Sequence, residues 1–180
     1  MKTLTYVCLV FAVVAALVVP SSLSAQSTPP SVVKELVATW QRASTDILDI
    51  AEAMPEEKYG YKPTPDVATF RDQLVHLAGI AQRFIDSAKG TKSESSHKAM
   101  TKAEVIGLLK QTLQTGQGML GSLTDAQLLE PVKFPVGDRT VTRFTFWLGP
   151  LYQVRNHHGQ LVVYLRMNGI VPPTTARRPA

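Results

Sequence analysis

Cysteine is the scarcest residue type in this 180-residue chain, with a single copy, Cys8. One thiol excludes a disulfide framework and any multi-cysteine metal site within one molecule. Charge is also thin, at 18% against 44% hydrophobic residues, which excludes an intrinsically disordered chain. The 11 glycines and 12 prolines are too few for a fibrous or low-complexity protein. There is no glycine-rich phosphate loop, nucleophile elbow or zinc-protease helix pair. The net charge of +5 is scattered, with a loop group (Lys89, Lys92, Lys98, Lys102) and a tail pair (Arg177, Arg178). Without a continuous basic patch, a nucleic-acid partner is not expected. What remains is one globular domain.

Hydrophobicity is unevenly spread. Residues 1–25 carry one charge, Lys2, then an apolar run from Leu4 to Pro20 and a small-residue stretch ending Leu23-Ser24-Ala25. This is the pattern of a secretory signal peptide. The run is short against the about 20 residues of a membrane span, so no stable span is expected after cleavage; retention as an uncleaved anchor is the rival reading. Cys8 lies too deep in the run for a lipid-acylation site and leaves with the leader. The expected mature domain, 26–180, is then cysteine-free with a net charge of +4 once Lys2 is gone, and is exported to a periplasmic or extracellular location. A chain of this size buries enough surface to fold without disulfides.

Four helical segments follow. The first spans about Ser31 to Met54, with Val33, Leu36, Val37, Trp40, Ile47, Ile50, Ala51 and Met54 at spacings of three and four, and is stopped by Pro55. In the second, Thr69 with Asp72 resembles a capping box, Phe70, Leu74, Leu77, Ala81, Phe84 and Ala88 form the stripe, and Gly90 ends it. The third opens on Thr101-Lys102-Ala103-Glu104, a full capping box, and is weakened by glycines at 107, 116, 118 and 121. Residues 131–142 read as loop or a short extended piece. The fourth spans about Thr145 to Asn168, with Pro150 near its start or kinking it. This predicts an all-α four-helix bundle, with short loops making the first helix a neighbour of the second and the second of the third, and a longer connection crossing to the fourth.

The histidines carry what chemistry there is. His97 falls in the polar loop between the second and third helices. His76 lies on the flank of the second helix's stripe, beside Ile80. His157 and His158 are adjacent and so point about 100° apart on the fourth helix. The stripe Trp147, Leu151, Val154, His158, Leu161, Leu165 groups His158 with core residues, and a second stripe holds Gln153, His157, Gln160 and Tyr164. Periodicity alone is satisfied by hydrogen-bonded histidines at a bundle interface. Trp40, Tyr59, Tyr61, Trp147 and Tyr164 have two readings, core residues or the lining of a cavity at one end. Arg166 reads as a helix-end cap or the partner of a carboxylate.

Two segments resemble the signatures of the DinB/YfiT-like family. One is Met54-Pro-Glu-Glu-Lys-Tyr-Gly-Tyr-Lys-Pro63 followed by Thr69-Phe-Arg-Asp-Gln-Leu-Val-His76-Leu-Ala78; the other is Asn156-His-His-Gly-Gln-Leu-Val-Val-Tyr-Leu-Arg-Met-Asn-Gly169. The resemblance implies an antiparallel four-helix bundle with a divalent metal, zinc or nickel, held by one histidine of the second helix and two on the fourth. The family's ligands map onto His76, Gln153 and His157, with His158 where an arginine usually stands. Gln153 is the departure: it keeps the one-turn spacing to His157, but an amide oxygen is a poorer ligand than imidazole for zinc or nickel.

The expectation is therefore an exported DinB-like domain with a weakened metal site. It would act as a metal-dependent transferase or hydrolase on a small molecule, as family relatives that activate a low-molecular-weight thiol do. The alternative is a metal-free binding or stress-associated protein that keeps the scaffold. No general base stands out except His158. Bundles of this kind pair through exposed apolar faces, so a homodimer is allowed, although no stripe is surplus to the core.

Overall fold

The computed structural model describes residues 30–92 and 100–177. The expected leader at 1–25, His97, Lys98 and Arg178 lie outside the described residues. Four long helices, α1 (Val32–Ala53), α2 (Phe70–Lys89), α3 (Lys102–Gly121) and α4 (Arg143–Met167), carry the domain, with a short α5 (Pro173–Ala176) behind them. Each long helix starts on a hydroxyl that accepts a free backbone N–H of the first turn: Ser31, Thr69, Thr101 and Thr142. Glu104 reciprocates by accepting from the Thr101 N–H at 2.7 Å, completing the box. Asp72 instead accepts the Thr69 hydroxyl at 2.7 Å, so that cap is one-sided. Gly90 closes α2 at φ 72°, a left-handed conformation that costs glycine little.

Residues 131–142 form a small antiparallel hairpin, β1 (Pro131–Lys133) and β2 (Thr140–Thr142), with Val132 opposite Val141. Gly137, at φ 74°, makes its turn, and the Phe134 N–H bonds the Arg139 carbonyl at 3.0 Å. Helix α4 begins directly after β2, so Pro150 sits two turns inside it rather than at its start.

Helix α1 packs on α3 and α4, and α2 packs on the same two; α1 with α2 and α3 with α4 form no comparable pair. This corrects the expectation that the first and second helices are neighbours. The connection between them is filled by Tyr59, which is fully buried, donates its hydroxyl to the Ala51 carbonyl at 2.7 Å and meets Phe70 edge to face at 5.2 Å. Backbone bonds from Phe70 N to Tyr61 O and from Arg71 N to Tyr59 O, both 2.9 Å, hold the segment across the end of the helices. The stretch from 54 to 69 is thus a packed element that spans to a non-adjacent helix.

Two side chains tie α1 to α3 at opposite ends. Lys102 Nζ donates to the carbonyls of Glu52 (2.7 Å) and Met54 (2.9 Å) at the end of α1, where a cation meets the negative end of the helix dipole. Asp125, just after α3, accepts from Ser31 Oγ and Val33 N, both 2.9 Å, at the start of α1. The core between the helices includes Trp40, Ile47, Ile50, Phe70, Leu74, Leu77, Leu109, Leu161 and Leu165, each large side chain contributing about 1.5–3 kcal/mol of transfer free energy. Trp40 donates its indole N–H to the Leu113 carbonyl at 2.9 Å. Gly116 is what lets the ring in: a Cβ there would stand 2.7 Å from Trp40 Cζ2.

Candidate functional site

The elements above bring His76 of α2 and His157 of α4 together, with ring centroids 5.5 Å apart and planes inclined at 60°. His76 is exposed on the flank of the α2 stripe, whereas His157 is 6% exposed. The Nδ1 atom of His157 is buried and has no hydrogen-bond partner among the described residues. Burial, and secondarily the charge of His76, push the His157 imidazole below its ordinary pKa. Both effects favour the neutral ring, which is the form that ligates metals.

The structure corrects the grouping of His158 with the core: His157 is the buried histidine and His158 is half-buried. His157 lies three residues after Val154 and four before Leu161, both buried, so either histidine fits the spacing and packing against α2 selects the first. Position 158, about 100° further round, faces other charges. Burial lowers the His158 pKa, Asp46 of α1 raises it, and Arg155 and Arg177 lower it. Asp46 is itself bound by Arg155 at 3.1 Å and Arg177 at 2.8 Å, and Arg177 also bonds Asp49. His158 is therefore part of a charged seam between α1, α4 and the tail, and its Nε2, like the Nδ1 of His157, is buried with no hydrogen-bond partner among the described residues.

Gln153 is half-buried one turn before His157 and lines a cavity of about 470 Å³. Its floor is aromatic: Phe84 and Phe134 line it and meet edge to face at 5.3 Å, and Phe84 also meets Phe146 of the core at 5.1 Å. Sequence reasoning did not find this cavity, because Phe134 reaches it only through the hairpin. Gly149 was the available signal, a glycine inside an apolar helix; a Cβ there would stand 2.5 Å from Phe84 Cζ. The aromatic residues singled out from sequence mostly resolve as core: Trp40, Tyr59, Trp147 and Tyr164 are all buried, and Tyr164 donates its hydroxyl to the Ala68 carbonyl at 2.7 Å. Arg166 ties the end of α4 to Thr175 of α5 at 3.4 Å and meets no carboxylate among the described residues.

As a metal site the donor set is short by one strong ligand. Among the described residues no three histidine, cysteine, aspartate or glutamate side chains converge. The donors the described residues do bring together are the two imidazoles of His76 and His157, with Gln153 one turn before His157 on α4.

The fold and this histidine pairing between two helices define a helical protein of the DinB type. A family model described as the DinB superfamily matches residues 36–161, and the chain belongs to that superfamily. Among solved structures it resembles a DinB-like protein from Bacillus cereus (TM-score 0.63, 18% identity, covering 78% of this chain and 95% of that one). It is similar also to a DinB-like protein from Bacillus subtilis (TM-score 0.61, 20% identity, 75% and 92% covered) and to a conserved protein from Enterococcus faecalis (0.61, 15%, 77% and 97%). At these identities the likeness is one of fold. No curated protein matches the chain in sequence.

Proposed function

We propose that this chain is an exported DinB-like domain that holds a divalent metal, zinc or nickel, weakly through His76 and His157. Gln153 is its third, neutral donor, and the domain acts as a transferase or hydrolase on a small molecule. The observation that carries the reading is the meeting of His76 and His157 across α2 and α4, with His157 Nδ1 buried and unpartnered among the described residues. An unmade hydrogen bond of that kind costs about 1–3 kcal/mol, a penalty that ligation removes. A divalent ion there supplies Lewis acidity and lowers the pKa of a nearby water. The chain's own part is to hold the His157 imidazole neutral and to bring it against His76.

An antiparallel four-helix bundle is the arrangement that accommodates these contacts, and the ties made by Lys102 and Asp125 at opposite ends of α1 support it. Export to a periplasmic or extracellular location rests on the leader-like composition of residues 1–25. No helix among the described residues is long and apolar enough to cross a membrane. A metal-free binding protein is the second reading, favoured by the amide at position 153 where an imidazole would complete the site. Metal content of untagged protein at equilibrium with excess zinc, measured by dialysis, decides between them. The proposal expects close to one divalent ion per chain in the wild type and none in His76→Ala or His157→Ala. A metal-free wild type, or a content indifferent to both substitutions, establishes the second reading.

A further inference from the structure

The cavity beside the histidine pair has a composition that specifies its occupant more closely than "small molecule". Its lining includes the aromatic face of Phe84 and Phe134, together with Ile80 and Leu148. Two of the lining residues, Arg83 and Arg139, are cationic, and none is acidic. Neither arginine is among those that form an ion pair in the described residues, Arg143, Arg155 and Arg177, so both are available to an anion in the cavity they line. Arg139 is nevertheless held in place, with its guanidinium 4.1 Å from the centroid of the Phe134 ring. That stacking leaves the N–H edge of the guanidinium free to bind in the plane. At about 470 Å³ the space is of the size that takes small ligands.

We propose that this cavity binds an organic anion with an aromatic or bulky apolar body and one carboxylate. The body lies on the Phe84–Phe134 floor, whose rings Gly149 admits close to α4, and the carboxylate is held by Arg139 and Arg83. Guanidinium groups match carboxylates bidentately, and an aromatic floor with an unneutralised cationic rim selects against both a neutral apolar molecule and a bare inorganic anion. Gln153 lines the cavity and stands one turn before His157 on α4, so a ligand seated here lies within a helical turn of the histidine pair. The inference rests on the metal reading only in calling the occupant the substrate of that site; the cavity is formed without the histidines.

The test is ligand-observed NMR and calorimetry on the full chain, with and without added zinc. The probes are 3-phenylpropionate, its uncharged analogue 3-phenylpropanamide, and acetate. The expected result is saturable binding of 3-phenylpropionate, with the amide and acetate at least about tenfold weaker. Arg139→Gln and Arg83→Gln should each weaken the acid by about tenfold without changing the amide. Both arginines are exposed, so these variants keep the fold. Equal binding of acid and amide, acetate binding as tightly as the phenyl acid, or indifference to both arginine substitutions overturns the proposal. His157→Ala separates the two readings. Loss of metal there with 3-phenylpropionate binding intact leaves the cavity standing on its own, whereas metal bound by wild type with no binding of the acid sinks the cavity and spares the metal site.

Discussion

His76 and His157 lie edge to face, 5.5 Å apart, one exposed on α2 and the other buried on α4. The buried ring keeps an Nδ1 with no partner among the described residues, so in the metal-free protein the lost hydration of that nitrogen is not offset by a hydrogen bond. His157→Leu, which fills similar space without a polar atom, is expected to raise the unfolding free energy by about 1 kcal/mol in chelator-treated protein. Urea denaturation measures this. A loss of stability of that size would mean that the nitrogen has a partner worth keeping.

Helix α3 carries glycines of two kinds. At Gly107 nothing lies within 4 Å of an added Cβ, so Gly107→Ala should stabilise by about 0.5–1 kcal/mol through helix propensity. At Gly116 the same methyl would meet Trp40 Cζ2 at 2.7 Å, and Gly116→Ala should destabilise by about 1–3 kcal/mol as the indole is displaced. Thermal unfolding of the two variants side by side checks the contrast, and equal shifts would show that Trp40 is not seated on Gly116.

Tyr59 closes the crossing between α1 and α2. Burial, reinforced by Glu52 and Glu56, pushes its phenol far above the ordinary range, so it stays a hydrogen-bond donor to the Ala51 carbonyl at any working pH. Tyr59→Phe should cost about 1–2 kcal/mol for that bond, and Tyr59→Ala about 3–5 kcal/mol with the cavity it leaves. Denaturant midpoints read both, and a Tyr59→Ala cost no larger than that of Tyr59→Phe would contradict the packing described.

The Thr101–Glu104 box makes a pH prediction. The backbone N–H and the hydroxyl of Thr101 hold the Glu104 carboxyl below its ordinary pKa. The folded state thus binds its proton less readily than the unfolded state. Its contribution is complete above the unfolded value of about 4.3 and is lost as pH falls through the lower folded value. Glu104→Gln should flatten the acid limb of the stability profile between about pH 5 and pH 3 relative to wild type, and an unchanged slope would show that the box carries no such linkage.

The parts legible in the sequence were those governed by local chemistry. Ser31, Thr69, Thr101 and Gly90 mark helix ends because caps act within one turn, and the stripes gave the core faces. The order of packing was not legible, because loop length does not say that Tyr59 turns a connection into a plug. Nor was the choice between His157 and His158, since both satisfy the period and only contact with α2 separates them. His76 and His157 came from motif likeness, and the structure brings their rings to 5.5 Å, which periodicity alone did not indicate. The cavity was missed because its floor joins α2, α4 and a hairpin that brings Phe134 and Arg139 in from outside the helices.

Position 153 sets how tightly the His76–His157 pair can hold a metal. Calorimetric titration of zinc into untagged, chelator-treated wild type, His157→Ala and Gln153→His is the most direct test. The account predicts one weak site in the wild type, its loss in His157→Ala, and a gain in affinity of about tenfold or more in Gln153→His as imidazole replaces the amide. Zinc binding that appears only in Gln153→His, with none in the wild type, would contradict it.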